Sequence, residues 1–97
     1  MSREDSSGGG NVVIKGIDMS NELKAVAIQA AKDAMAAHPD ATEQELAEAV
    51  KIAFDQQQGP TWHSIVGRSF GSYITYESHH FIQFHLDGLA FVLFKAG

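Results

Sequence analysis

Apolar residues along the first half of the chain recur at helical spacing. Leu23, Val26, Ala27, Ala30 and Ala34 fall on one face. Ser20, followed by Asn21 and Glu22, supplies a hydroxyl N-cap and a first-turn carboxylate. Pro39 closes this helix, because the residue before a proline is pushed out of the α region. Thr42 and Glu45 have the T-x-x-E spacing of a capping box, with Leu46, Val50, Ala53 and Phe54 following at i, i+4, i+7 and i+8. Gly59 and Pro60 end that second helix, one by a left-handed terminus and the other by breaking the ladder. Ahead of both helices, residues 11–15 (NVVIK) are β-branched and stop at Gly16, which predicts a brief strand. After them the pattern changes to alternation. Residues 61–97 are rich in β-branched and aromatic side chains, cut at Gly67–Arg68, Glu77–Ser78 and Asp87–Gly88, which predicts strands at 61–66, 70–76, 80–86 and 89–95.

The Asp87–Gly88 pair is a type I′ signal, so the last two strands should be adjacent and antiparallel. The last of them, LAFVLFK, is apolar on both sides, so both faces of the sheet should be covered there. Two helices can cover one face of a short sheet, and a second subunit is the natural cover for the other. The expected class is α+β: an antiparallel sheet flanked by two helices. Its 97 residues make one domain. Residues 1–10 (MSREDSSGGG) have no apolar run and read as a flexible tail, leaving 11–97 to fold. A unit of that size buries only about 60–65% of its unfolded surface and needs a supplement to its core. Cysteine is absent, which removes disulfides and thiolate metal sites and again points to oligomerisation. No leader pattern or membrane-length apolar run is visible, and a cytosolic protein without membrane insertion is expected. A net charge of −5 with seven scattered Lys and Arg lacks the basic footprint of a nucleic-acid binder.

Five histidines raise the question of a metal. His79 and His85, however, would lie about 20 Å apart along one strand at ~3.3 Å per residue, too far to share an ion, and His79 and His80 would face opposite ways. No cofactor is expected. Ser64, Ser72, His63 and Asp87 can be assembled into a hydrolase triad only on paper, since the G-S-Y around Ser72 lacks the nucleophile-elbow pattern. No catalytic residue is assigned and an enzyme is not expected. Trp62 reads first as a core residue, and His63, alternating with it, faces whatever covers the second side of the sheet. The stretch 70–76 (FGSYITY) alternates aromatic and β-branched residues with no proline or lysine to blunt an edge; such edges are either paired or used for binding.

The run GPTWHSIVGRSFGSYITYESHHFIQFHLDGLAFVLFKAG resembles the C-terminal half of the smallest dynein light chains, and IKGIDMSNEL is similar to the same family's first strand and helix start. The likeness extends from about Val12 to Gly97, and its PTWHxIVGRxFGSYxT block is too long for chance. The resemblance implies a strand-exchanged homodimer in which 70–76 crosses to complete the partner's sheet, with two helices on each outer face. The dimer contacts it implies are Trp62, His63, Ser64, Ile65, Val66, Gly67, Tyr73 and Thr75. It also implies that short extended peptides, often with a Thr-Gln-Thr core, add as one more strand beside the crossed segment, and that dynein intermediate chain is a leading partner.

By the same resemblance, Arg68, Ser69, Phe70, Gly71, Ser72, Tyr73, Ile74, Thr75 and Tyr76 would line the peptide groove. Phe81, Gln83, His85, Ala90 and Val92 would form its floor. Glu43 and Gln44, at the start of the second helix, would meet the ligand's glutamine. This chain departs from the family at several of these positions: Gln44 stands where a lysine is frequent, Tyr76 where a histidine is common, and Gln83 and His85 where tyrosines are usual. The loop before Thr42 is two residues longer. His63 matches a histidine near the family's two-fold axis, so mild acid is expected to separate the subunits.

Overall fold

The computed structural model describes residues 11–97; the expected N-terminal tail lies outside the described residues. The elements run β1 (Val12–Asp18), α1 (Asn21–Ala37), α2 (Glu43–Gln58), β2 (Trp62–Gly67), β3 (Phe81–Leu86) and β4 (Leu89–Lys95). The four strands form one antiparallel sheet in the order β1-β3-β4-β2. β3 and β4 are joined by the predicted tight turn, with Asp87 at φ 52° and Gly88 at φ 83°, both positive as a type I′ turn requires.

Both helices start where their caps are. The Ser20 hydroxyl accepts from the Leu23 N–H at 3.1 Å. In the capping box of α2 the Glu45 N–H donates to Thr42 Oγ1 (3.1 Å) while the Thr42 N–H donates to Glu45 Oε1 (2.8 Å). Gly59 ends α2 at φ 77°, a backbone position that favours glycine. The buried stripes of the helices, Ala27, Ala31 and Ala34 on α1 and Leu46, Val50 and Phe54 on α2, meet one face of the sheet through Trp62, Ile82, Phe84, Leu86, Phe91 and Leu93. The small residues of α1 let it approach closely, and the bulk is supplied by rings: Phe54 packs edge-on to Trp62 with centroids 4.8 Å apart, and Phe84 stacks on Phe91 at 5.3 Å. Trp62 is only 1% exposed, and among the described residues its indole N–H has no hydrogen-bond partner, so the burial of its ring rests on packing.

Two expectations need correction. The first strand does not stop at Gly16 but continues to Asp18, with a register shift between Ile14 and Gly16. Gly16 marks a close approach instead: a Cβ there would sit 3.3 Å from the Phe81 ring. The strand expected at 70–76 is absent, and residues 70–76 pair with no strand among the described residues. Alternation reports which side chains seek cover, but a strand also needs a neighbour to close its ladder, and one protomer supplies none there.

Phe54→Ala should remove about 3–5 kcal/mol of stability, read from the urea midpoint at fixed protein concentration. Ile52→Ala, on the outer side of α2, should change it by under about 0.5 kcal/mol. Equal losses would show that the core is not where these contacts put it.

Candidate peptide-binding edge and dimer face

Because side chains alternate along a strand, the residues that do not face the helices share the opposite side of the sheet. Cross-strand register arranges them in three rows. The first is Asp18, Phe81, Phe94 and His63. The second is Gly16, Gln83, Val92 and Ile65. The third is Val13, His85, Ala90 and Gly67. The five expected floor residues, Phe81, Gln83, His85, Ala90 and Val92, are therefore brought together on one face. Val92 and Ala90 are buried without belonging to the helix-packed core, while Val13 and Ile65 are exposed. No helix of the described residues covers this face.

The same face ends at β2, one of the two sheet edges. Its sequence WHSIVG has no proline, lysine or bulge to discourage pairing. The other edge, β1, has both a lysine, Lys15, and a register shift. His63 sits on the open side, stacked on Phe94 at 5.3 Å, with Nε2 3.1 Å from the Ala96 carbonyl. Of the six residues 62–67 expected at the dimer contact, His63, Ile65 and Gly67 face the open side. Trp62 is buried in its own core. Ser64 and Val66 share its side, and only their main chain could meet a partner at the edge.

The unpaired segment leaving β2 is pinned at both ends. At its start the Arg68 Nε lies 3.8 Å from Glu43 Oε2, and the Phe70 ring lies against Gly67, where a Cβ would come within 3.1 Å of it. At its end Tyr76 stacks on Phe81 with centroids 4.7 Å apart, and the Glu77 N–H donates to the Lys95 carbonyl at 2.8 Å. Asp18 accepts from the His79 main chain (3.1 Å) and faces its ring nitrogen (3.2 Å). Between the pins Ser69, Gly71, Ser72, Tyr73 and Thr75 are exposed and Ile74 is half-buried; Tyr73 is wholly in solvent. Arg68 thus joins the segment to the head of α2, where Glu43 and Gln44 are exposed and their N–H groups have no intrahelical acceptor.

Sequence reasoning passed over Asp18 and Asp55. The His79 main-chain N–H is the main cause holding the Asp18 carboxyl below the usual aspartate range. Asp55 is held low first by its bond to Lys51 and then by the Trp62 main-chain N–H, which donates to it at 2.8 Å. Asp55 therefore ties the end of α2 to the start of β2. The Asp18–His79 pair spans 61 residues and leaves no local signal. Among the described residues, no group of three His, Cys, Asp or Glu is placed to hold a metal.

The protein-family model for dynein light chain type 1 matches residues 11–96. A dynein light chain of Schistosoma mansoni is 51% identical over 85 residues, covering 88% of this chain and 93% of that one. Among solved structures, the dynein light chain-like domain of the Fasciola hepatica calcium binding protein FhCaBP2 aligns with a TM-score of 0.74 at 19% identity, over 97% of this chain and 100% of that one. The light-chain-like domain of CsTAL3 aligns at 0.61 with 25% identity, over 88% and 92%. This chain belongs to the dynein light chain family, and its sheet with two helices has the light-chain-like fold.

A carboxylate with a depressed pKa stabilises the fold above its unfolded value and loses that contribution as pH falls through its folded one. Asp55→Asn should therefore lower the melting temperature at neutral pH, with the difference from the parent shrinking once pH drops below 3.8, the ordinary aspartate value. A difference that stays constant from neutral to strongly acid solution would show that the charge is not what matters.

Proposed function

We propose that the protein is a non-catalytic homodimeric hub that binds short linear motifs by strand addition. Two copies exchange residues 70–76, each laying this segment along the other's β2 edge, so that the two open sheet faces cover one another. The observation that carries the reading is the coincidence, in one chain, of a bare β2 edge, a sheet face that no helix of the described residues covers and an unpaired alternating segment with Tyr73 in solvent. Each deficit is what a second copy would relieve. The exchanged segment then offers its own outer backbone as the next edge, on which an extended peptide pairs. Main-chain bonds supply affinity, and pockets over Phe81, Gln83, His85, Ala90 and Val92 supply selectivity. The free N–H groups of Glu43 and Gln44 would receive the glutamine of a Thr-Gln-Thr-type motif. Two grooves per dimer hold two copies of a disordered client side by side, with avidity from bivalency.

Membership of the dynein light chain family makes dynein intermediate chain the leading client and a cytoplasmic, microtubule-associated location the natural one. A second reading keeps the grooves and drops the motor, making the protein a dimerising adaptor or inhibitor subunit. It is favoured by light-chain-like domains in FhCaBP2 and CsTAL3, proteins not named as motor subunits. Co-recovery of dynein heavy and intermediate chains from a cell extract supports the motor reading, and recovery of other clients without them supports the second.

Sedimentation at neutral pH should give a dimer. A charge on the His63 ring would sit on the shared face beside its copy across the two-fold, so mild acid should separate the dimer at low micromolar concentration. His63→Lys should be monomeric at neutral pH. In the neutral dimer, a peptide with a Thr-Gln-Thr core should shift amides of 70–76. A monomer at neutral pH together with amides silent to such peptides would overturn the proposal.

A further inference from the structure

On the outer side of the molecule the loop joining the two helices and one stripe of α2 enclose a groove of about 560 Å³, lined by His38, Pro39, Asp40, Ala41, Glu45, Glu48, Ala49 and Ile52. The stripe is a second face of α2. Glu45, Glu48, Ala49 and Ile52 stand at i, i+3, i+4 and i+7, clear of the buried stripe formed by Leu46, Val50 and Phe54. Ala49 leans on the core cluster, while Ile52 is 46% exposed and does not belong to it.

We infer that this groove is a second docking surface, independent of the β-edge, for a short basic segment of a partner protein in which lysine or arginine stands next to an aliphatic residue. The chemistry is complementary on both counts. Pro39, Ala41, Ala49 and Ile52 form an apolar strip that receives an aliphatic side chain and the methylene stem of a lysine. Asp40 and Glu48 flank it with carboxylates, and Glu45 adds a third whose Oε1 is already engaged by the Thr42 N–H. Among the described residues, no lysine or arginine lines the groove. The nearest cation on α2, Lys51, is held by Asp55.

The backbone adds to the same sign. α1 ends at the groove with no basic residue in its last turn, so the negative end of its dipole is uncompensated there. The positive end of α2 is already answered by Thr42, Glu43 and Glu45. A second copy of this chain is a poor occupant: Lys15, Lys24 and Lys51 each stand beside an aliphatic residue, but singly and inside a strand or helix, and the net charge of the copy is −5. An anionic membrane is repelled. The groove is also separate from the candidate peptide edge. At about 100° per residue, Glu43 points roughly 160° around α2 from Glu45, toward Arg68 and away from the groove.

The test is an amide chemical-shift titration of the full chain at neutral pH and low salt, with a short peptide amide of alternating lysine and leucine. Its glutamate-leucine counterpart is titrated in parallel. The lysine peptide should shift residues 38–41 and 45–52 saturably and leave 70–76 in place, while the glutamate peptide should shift neither region. Asp40→Lys with Glu48→Lys should weaken binding on the order of tenfold, and Ile52→Ser alone should weaken it at unchanged net charge. No binding, shifts scattered over the acidic surface without saturation, or affinity indifferent to both variants would overturn the assignment. None of these outcomes bears on the β-edge reading, which is followed through 70–76.

Discussion

β4 is apolar toward both sides, and the helices can cover only one of them. Leu89, Ala90, Phe91, Val92 and Leu93 are all buried, yet only Leu89, Phe91 and Leu93 belong to the cluster built with Phe54 and Trp62. Ala90 and Val92 turn to the other side, where no helix of the described residues covers them. Such a sheet is finished on one face and open on the other. The open face ends at the strand whose own edge is bare, so the two deficits share a boundary: β2 contributes His63 and Ile65 to the face and its backbone to the edge. One partner docking at that boundary relieves both, so completing the sheet and covering its face are a single event.

The two edges are not equivalent, and the difference gives the sheet a direction of growth. β1 has Lys15 at a register shift, and its far end is tied through Asp18 to the turn at His79. Irregularity and charge make it a poor template for another strand. β2 is regular over its length and is followed directly by the segment that finds no strand partner among the described residues. Pinning that segment at Arg68 and again at Tyr76 and His79 limits the conformations it explores, so less entropy remains to be lost when it pairs.

What was legible in the sequence is local chemistry. The T-x-x-E box, the Gly59–Pro60 stop and the Asp87–Gly88 turn each act within a few residues, and each is found in place. The two-sided apolar character of LAFVLFK was readable for the same reason. What was not legible depends on pairs distant in sequence. Gly16 reads as a stop until the Phe81 ring is seen lying over it. The alternation of FGSYITY reports a wish for cover on both sides but cannot say which chain provides it. Trp62 and His63 are adjacent, yet one is spent in the core and the other faces outward. Only the partnering of Trp62 with Phe54 decides which. Glu43 meeting Arg68 gives the candidate site its second wall, and spacing alone does not bring those two together.

The capping box of α2 joins these observations. Thr42 and Glu45 spend their polar atoms on each other's backbone, which fixes the rotation of the first turn as well as its start. With that rotation set, Glu43 is directed to Arg68 and the β-edge segment, Leu46 to the core, and Glu45 with Glu48 to the outer groove. A helix whose first turn frayed would lose all three alignments together, since neighbouring side chains differ by only about 100° around the axis. The short motif that begins α2 is therefore less important as a source of helix stability, worth roughly 1 kcal/mol, than as the device that assigns each side of the helix its neighbour.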